Sequence, residues 1–99
     1  MTWFRTHELG AANGTAFHRD VLHMSYADLV AMLGQPDPGD GDKTQAEWTL
    51  ANDNGLIATI YDWKEACPVE LVADWNIGAK HTMTAKAAIL ALTRGEVTQ

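Results

Sequence analysis

The chain has 99 residues and a mass of 10.8 kDa, which fits one small domain. Seven Lys and Arg stand against thirteen Asp and Glu, so the formal net charge is −6. This excess of acids argues against direct binding of nucleic acid or of an anionic membrane surface, because both depend on basic side chains. Hydrophobic residues at 46% and charged residues at 20% are typical of a folded chain. We therefore expect a single domain over residues 1–99.

The sequence also limits the compartment. The single cysteine, Cys67, excludes an internal disulfide and suits a reducing environment. No apolar run approaches the ~20 residues of a membrane-spanning helix, and the first residues do not have the layout of a signal peptide. We therefore expect a cytoplasmic protein with no membrane partner.

The N-terminal region favours a strand over residues 15–23 and another over residues 2–9, with residues 11–14 as the turn between them. Residues 1–14 are accordingly expected to supply an edge strand. A helix is predicted over residues 26–33, because Ser25 is a favourable N-cap residue and Asp28 follows three residues later. Gly34 and Pro36 are expected to end this helix.

A solvated loop is predicted next, since residues 35–43 contain two Pro, two Gly and three Asp. Residues 46–51 and 56–63 then predict a β-hairpin. A two-residue turn would place Glu47 opposite Asp62, whereas a three-residue loop over residues 53–55 places Glu47 opposite Tyr61. Like charges directly opposite one another are destabilising, so we favour the three-residue loop with Gly55 in the left-handed conformation.

The C-terminal third predicts one more strand and one more helix. Apolar and polar residues alternate over residues 69–77, which indicates a strand that Gly78 ends, with a break near its start left open. A helix is predicted from about Thr84 to Thr93, and residues 94–99 are expected to be a loose tail. The order (β)-β-α-β-β-β-α predicts an α+β fold: an antiparallel sheet of three to five strands with two helices packed on one face.

The acidic loop does not match a calcium site. The helix-loop-helix motif needs oxygen ligands at positions 1, 3 and 5 and Glu at position 12, but counting from Asp37 places Gly39 at position 3 and Trp48 at position 12. His18 and His23 are five residues apart, so they do not have the spacing of two zinc ligands on one helix face. We therefore expect no metal and no cofactor.

Candidates for catalysis are equally few. No histidine can be placed beside Cys67, and the only serine, Ser25, is assigned to the helix cap. Asp62, Glu65 and Asp74 are candidates for acid–base chemistry, but no spacing distinguishes them from ordinary exposed carboxylates. We therefore expect a protein that is not an enzyme.

The aromatic residues carry more information. Trp48 and Trp75 fall on the apolar phase of their strands and are predicted to lie in the core. Tyr61 and Trp63 share the other phase, so they either are exposed or are covered by the N-terminal segment. Exposed Trp and Tyr are favoured anchors of protein interfaces. A symmetric homodimer could also cover this face.

The negative charge is concentrated in the middle of the chain: residues 1–36 have a net charge of −1, residues 37–74 of −7 and residues 75–99 of +2. The acidic loop and the hairpin therefore face a partner together, if this charge is functional. The candidate partner-binding surface consists of Asp37, Asp40, Asp42, Tyr61 and Trp63.

Six segments of the chain carry a resemblance: Ser25-Tyr-Ala-Asp-Leu-Val, Leu33-Gly-Gln-Pro, Gly41-Asp-Lys, Ala46-Glu-Trp, Ala58-Thr-Ile-Tyr-Asp-Trp-Lys and Trp75-Asn-Ile-Gly. Over about residues 14–92 these segments resemble, in the same order, small uncharacterised phage and prophage proteins, mainly from actinobacterial hosts. The chain departs from them at Asn76 and Gly78-Ala79, where those relatives carry a His and a Gly pair, and residues 65–73 are shorter. The resemblance implies a phage-derived accessory protein of the bacterial cytoplasm and contributes no catalytic residue.

Together these features predict a non-enzymatic protein-binding module that modulates or inhibits a host factor, with a host or phage protein as its partner. One alternative is an acidic mimic of nucleic acid that occupies a basic DNA- or RNA-binding protein; its binding would weaken steeply with salt. The other alternative is a small enzyme or metal-binding protein.

Overall fold

Residues 2–8 and 10–99 are described by the structure, a computed structural model. Over these residues the chain forms two α-helices and a seven-stranded sheet. The elements are β1 (Trp3–Arg5), β2 (Ala16–His23), α1 (Tyr26–Leu33), β3 (Asp37–Pro38), β4 (Ala46–Asn52), β5 (Ile57–Tyr61), a 3-10 turn (Val69–Leu71), β6 (Asp74–Ala79), α2 (Thr82–Thr93) and β7 (Val97–Thr98).

The strands follow the order β2-β6-β5-β4-β1-β7, and β3 pairs with β4 beside this path. The pairing of β1 with β7 is parallel, whereas the other pairings are antiparallel. The predicted α+β class is confirmed. The prediction of three to five antiparallel strands was too small, because β1, β3 and β7 are two- or three-residue strands that no alternation in the sequence reveals.

Both helices contribute to one core on one face of the sheet. The register places Trp48 beside Ile60, and Ile60 beside Ile77, so that these three fully buried side chains form a row across β4, β5 and β6. Burial of such a row is the main favourable contribution to folding. The helical residues of the same cluster are Leu29, Leu33, Ala85, Ala88 and Leu92.

The two predicted core tryptophans fasten α1 to the sheet. The rings of Trp48 and Trp75 meet edge to face with centroids 5.3 Å apart. The indole nitrogen of Trp48 donates to the carbonyl of Gly34 at 3.0 Å, and that of Trp75 donates to the carbonyl of Met24 at 2.9 Å. Because these carbonyls flank α1, the two indoles satisfy backbone groups at both ends of the helix.

The predicted bounds of the first helix and the predicted register of the hairpin are confirmed, whereas the second strand of the hairpin is shorter than predicted and ends at Tyr61. Helix α1 covers Tyr26–Leu33, and the hydroxyl of Ser25 accepts the backbone N–H of Asp28 at 3.1 Å. In the hairpin, Glu47 pairs with Tyr61, and residues 53–55 form the loop with Gly55 at φ 79°. The charge argument therefore selected the correct register.

The strand predicted over residues 69–77 is interrupted at its start, an alternative that the alternation left open, and its first half is not a strand. The N–H groups of Leu71 and Val72 close a 3-10 turn onto the carbonyls of Pro68 and Val69, and β6 begins only at Asp74. Leu71 is 71% exposed whereas Val72 is buried, which reverses the predicted alternation. The strand also passes through Gly78 to Ala79.

The predicted pairing of the two N-terminal strands was also wrong. β1 lies between β4 and β7, whereas β2 pairs with β6 at the other side of the sheet. The predicted strand over residues 2–9 is reduced to β1, and Leu9 lies outside the described residues. Because β1 and β2 are separated by three strands, the chain between them crosses the sheet. We call residues 10–15 the strap.

Residues 94–99 are not a loose tail. Gly95, at φ 68°, follows α2, and the chain then returns to the sheet as β7. Val97 is buried and lies beside Trp3 in the parallel ladder. The apolar contact with Trp3 accounts for the ordering of this short segment, because it removes both side chains from water.

Candidate functional site

The face of the sheet that points away from the helices, which we call the strap face, is mixed in character. The strap covers part of it, and Thr49 and Thr59 are buried there. Tyr61 is half-buried, and Trp63 remains 45% exposed. The two arrangements considered for the aromatic residues therefore both occur: the N-terminal segment covers some of this face and leaves part of it open.

A cavity of about 310 Å³ lies between the strap and the sheet. Thr59 and Gly78 line it from the central strands, and Ala12 and Thr15 line it from the strap. Its volume is at the small end of the range for ligand-binding cavities. The remaining lining residues are Ala16, Asp40, Thr44, Glu47, Tyr61 and Trp63.

Gly78 keeps this cavity open. A Cβ atom at Gly78 would lie 2.5 Å from Thr59 Oγ1 and 3.4 Å from Tyr61 Cε1. Thr59 is β-branched and buried in the middle of β5, so its hydroxyl has little freedom to move away. The glycine within β6 is thus explained by a close approach of neighbouring side chains.

The Gly78→Ala variant is expected to lose about 1–3 kcal/mol of unfolding free energy, because the added methyl overpacks this contact. Urea denaturation followed by circular dichroism measures the loss. Asn76→Ala, on the same strand and the same face, is the control and should change stability by less than about 1 kcal/mol. Equal stability of Gly78→Ala and the wild type would show that Gly78 is not tightly packed against Thr59 and Tyr61.

Next to the cavity lies a partly exposed aromatic cluster, which consists of Phe17, Tyr61 and Trp63. The rings of Tyr61 and Trp63 meet edge to face with centroids 6.4 Å apart. Phe17 is 43% exposed, and the three residues line a groove of about 360 Å³ together with Asn76. Tyr61 and Trp63 were predicted for this surface, whereas Phe17 was not.

Phe17 joins the cluster because it pairs with Gly78, and β2 has a bulge directly after it. Phe17 pairs with Gly78 and Val21 pairs with Asn76, so two extra residues of β2 are accommodated between these pairs. Arg19 has a left-handed φ of 70°, and Asp20 accepts hydrogen bonds from Thr82 and Lys86 of α2. The bulge thus bends an exposed edge strand, as natural sheets often do.

Two lysines contact the exposed tryptophan. Lys43 Nζ lies 5.6 Å and Lys64 Nζ lies 5.8 Å from the centroid of the Trp63 ring, within the range of cation–π attraction. The backbone N–H of Lys64 donates to the carbonyl of Lys43 at 2.7 Å. These lysines are the only basic residues in the acidic segment 37–74, and both are at the aromatic cluster.

Asp40 lines the cavity but one of its oxygens also organises the loop. Its Oδ1 accepts the backbone N–H groups of Asp42, Lys43 and Thr44 at 2.8–3.0 Å. These hydrogen bonds, led by that of Thr44, lower the pKa of Asp40 to about 2. Asp42 is exposed and does not line the cavity, so the structure does not bring it together with Tyr61 and Trp63.

Asp37 has a structural partner. Its carboxylate lies 3.4 Å from the buried guanidinium of Arg5, which also donates to the carbonyls of Leu33 and Gln35. These carbonyls are at the C-terminal end of α1, where a positive charge is favourable. Of the three predicted loop acids, the structure therefore places Asp40 at the cavity, Asp37 beside it and Asp42 away from it.

Glu47 is the carboxylate that sequence reasoning did not select. It is half-buried, it lines both the cavity and a second one of about 270 Å³ that Ala12 also lines, and its carboxylate makes no hydrogen bond or ion pair with another described residue. Burial raises its pKa, and the charges of Asp37 and Asp40 raise it further. The predicted register, which places Glu47 opposite Tyr61, was the signal that could have identified it.

Two of the three carboxylates considered for acid–base chemistry have other contacts, and the third, Glu65, is exposed. Asp62 is buried, and its oxygens accept the backbone N–H groups of Gln45 and Ala46 at 2.8 and 3.1 Å, and the side-chain amide of Gln45 at 3.1 Å. Asp74 contacts His23 at 2.6 Å on the surface. Neither faces the cavity.

Over residues 2–8 and 10–99, no three His, Cys, Asp or Glu side chains converge in a group that could bind a metal ion. In the same part of the chain, neither helix is long and apolar enough to span a membrane. Comparison of this chain with family models, with curated proteins and with solved structures gave no match.

Proposed function

We propose that this chain is a non-enzymatic protein-binding module whose binding surface is the aromatic cluster on the strap face. The observation that carries this proposal is that Phe17 and Trp63 are both more than two-fifths exposed and lie together in one groove with Tyr61. Aromatic residues of this kind dominate the binding energy of protein interfaces, because they bury much apolar area with little loss of side-chain freedom.

The resemblance to small phage and prophage proteins supports the choice of partner. We propose that the partner is a host or phage protein of the bacterial cytoplasm, and that binding modulates or inhibits it. The two lysines at Trp63 and the nearby carboxylates of Asp40 and Glu47 give the surface both signs of charge. Such a mixed rim around aromatic anchors is common at specific interfaces.

The acidic mimic of nucleic acid receives less support. A mimic presents free carboxylates in place of phosphates, but several acids of segment 37–74 already have partners within the fold. In addition, both lysines of this segment lie at the exposed aromatic cluster. The engaged acids are Asp37 with Arg5, Asp40 with three backbone amides, Asp62 with Gln45 and Ala46, and Asp74 with His23.

Affinity capture from an actinobacterial lysate tests the proposal. The wild type and Met83→Ala are expected to retain the same partner, because Met83 is 72% exposed on α2, away from the strap face. Trp63→Ala should weaken retention at least about tenfold, which corresponds to the loss of one interface anchor. Retention by Trp63→Ala together with loss by Met83→Ala would place the binding surface on α2 instead.

Two further readouts separate the alternatives. Binding through the aromatic cluster should weaken only modestly between low and high salt, whereas a mimic, which depends on many ion pairs, would lose affinity steeply. Light scattering of the purified chain tests whether a second copy of the chain, instead of a different protein, binds the strap face. A dimer that Trp63→Ala dissociates, with no captured partner, would show that this face joins two copies of the chain.

A further inference from the structure

The cavity beneath the strap offers hydrogen-bond acceptors without partners. Thr59 is only 5% exposed, yet its hydroxyl makes no hydrogen bond with another described residue, and it lines the cavity. The Glu47 carboxylate lines the same cavity and also lacks a partner among the described residues. Over the described residues, the side-chain atoms that are fully buried without a partner are Arg5 Nε and Asn52 Nδ2. The Thr59 hydroxyl and the Glu47 carboxylate are therefore reached from the cavity and can accept hydrogen bonds from a ligand that carries donors.

The charge of the cavity favours a cation. Glu47 lies among carboxylates, and both its burial and the charges of Asp37 and Asp40 hold its pKa above the usual range. Lys43 and Lys64 contact the Trp63 ring but do not line the cavity, so they do not neutralise Glu47. A positive group in the cavity would therefore compensate a charge that the fold leaves unpaired.

The walls and the volume limit the size of that cation. Tyr61 pairs directly with Glu47 across the hairpin, so its ring is beside the carboxylate, and Trp63 lines the same wall. Aromatic rings attract organic cations and cover their apolar part. A volume of about 310 Å³ suits one alkylammonium or guanidinium group with its aliphatic chain.

We infer that this cavity binds a lysine or arginine side chain of the partner protein, with Glu47 as its ion-pair acceptor, Thr59 as a second acceptor and Tyr61 and Trp63 as its walls. The inference rests on the proposed function, and it names the chemistry of the partner. Tyr61 and Trp63 belong to both the cavity and the aromatic cluster, so a protein docked on the cluster can insert a basic side chain into the cavity.

Titration with n-butylammonium, a mimic of the lysine side chain, tests the cavity by nuclear magnetic resonance of the ¹⁵N-labelled chain. We expect saturable shifts of the Thr59 and Gly78 amides in the wild type and in Asp42→Asn, since Asp42 is exposed outside the cavity. Glu47→Gln should weaken the binding at least about tenfold, and the neutral n-butanol should produce no saturable shift. Equal binding by Glu47→Gln, or by n-butanol, would overturn the inference.

Glu47→Gln removes a carboxylate from an acidic neighbourhood, so its fold is expected to be at least as stable as that of the wild type. Thr59→Val, which removes only the hydroxyl, provides a second variant that should weaken n-butylammonium binding.

Capture of the partner separates this inference from the proposed function. If Trp63→Ala loses the partner but Glu47→Gln retains it at full affinity, the binding surface stands and the basic side chain is refuted. Saturating n-butylammonium should compete with the partner and reduce its binding. If partner binding is unchanged, the cavity binds a free amine and not a side chain of the partner, which would overturn the inference.

Discussion

Replacing Trp48 with alanine is expected to lower the free energy of unfolding by about 3–5 kcal/mol. Trp48 is fully buried, it packs against Trp75 with ring centroids 5.3 Å apart, and its indole N–H satisfies the carbonyl of Gly34. The substitution leaves a large cavity and an unpaired carbonyl at the end of α1. The total free energy of unfolding of a small domain is about 5–15 kcal/mol, so this variant should be close to unfolding at 37 °C.

Chemical denaturation followed by circular dichroism measures this effect. Trp63→Ala is the matched control, because it removes the same side chain from a position that is 45% exposed, and it should cost less than about 1 kcal/mol. Similar losses in both variants would contradict the assignment of Trp48 to the core and of Trp63 to the surface.

Replacing Asp62 with alanine is expected to cost about 3 kcal/mol. The carboxylate is buried and accepts the backbone N–H groups of Gln45 and Ala46, where the acidic loop enters β4. Its removal leaves two donors without partners, and an unsatisfied buried donor costs about 1–3 kcal/mol. Asp62 therefore joins the end of the hairpin to the start of its first strand.

Asp62→Asn retains an oxygen acceptor of the same shape, so it should lose less stability than Asp62→Ala. Asp42→Ala serves as the control on the same loop, since Asp42 is exposed, and it should change the free energy of unfolding by less than about 0.5 kcal/mol. Thermal or urea denaturation measures all three variants. An Asp62→Ala variant as stable as Asp42→Ala would show that the two backbone amides find other partners.

Local sequence signals predicted the parts of the fold that local chemistry determines. Ser25 and Gly34 marked both ends of α1, because a cap and a left-handed residue act within a few residues of their own position. Repulsion between Glu47 and Asp62 selected the hairpin register, because directly opposite side chains are within about 5.5 Å of each other.

The parts that were predicted wrongly depend on distant contacts. The order of β1 and β7 follows from the contact of Trp3 with Val97, which are more than 90 residues apart in the sequence. Likewise, the separation of β1 from β2 requires the chain to cross the whole sheet. No period or turn signal in the sequence reports such pairings, and short strands carry little periodicity of their own.

The candidate site also has a part that local sequence signals predict and a part that depends on distant contacts. Alternation along β5 predicted that Tyr61 and Trp63 share the face that the helices do not cover. Glu47 follows from the same register, but its isolation from basic residues is visible only in three dimensions. Phe17 reaches the cluster because β2 pairs with β6.

The aromatic cluster and the cavity lie side by side on the strap face and have Tyr61 and Trp63 in common. In the proposed binding mode, the aromatic cluster supplies the apolar contact and the adjacent cavity supplies a negatively charged recess for one basic side chain of the partner. The engaged acids and the lysines at Trp63 explain why a net charge of −6 does not by itself indicate a nucleic-acid mimic.

The most direct test of the central claim is the dissociation constant of the captured and purified partner, measured by titration calorimetry for the wild type, Trp63→Ala and Met83→Ala. If the strap face is the binding surface, Met83→Ala binds the partner like the wild type, and Trp63→Ala binds it at least about tenfold more weakly. Wild-type affinity of Trp63→Ala for the partner would contradict it.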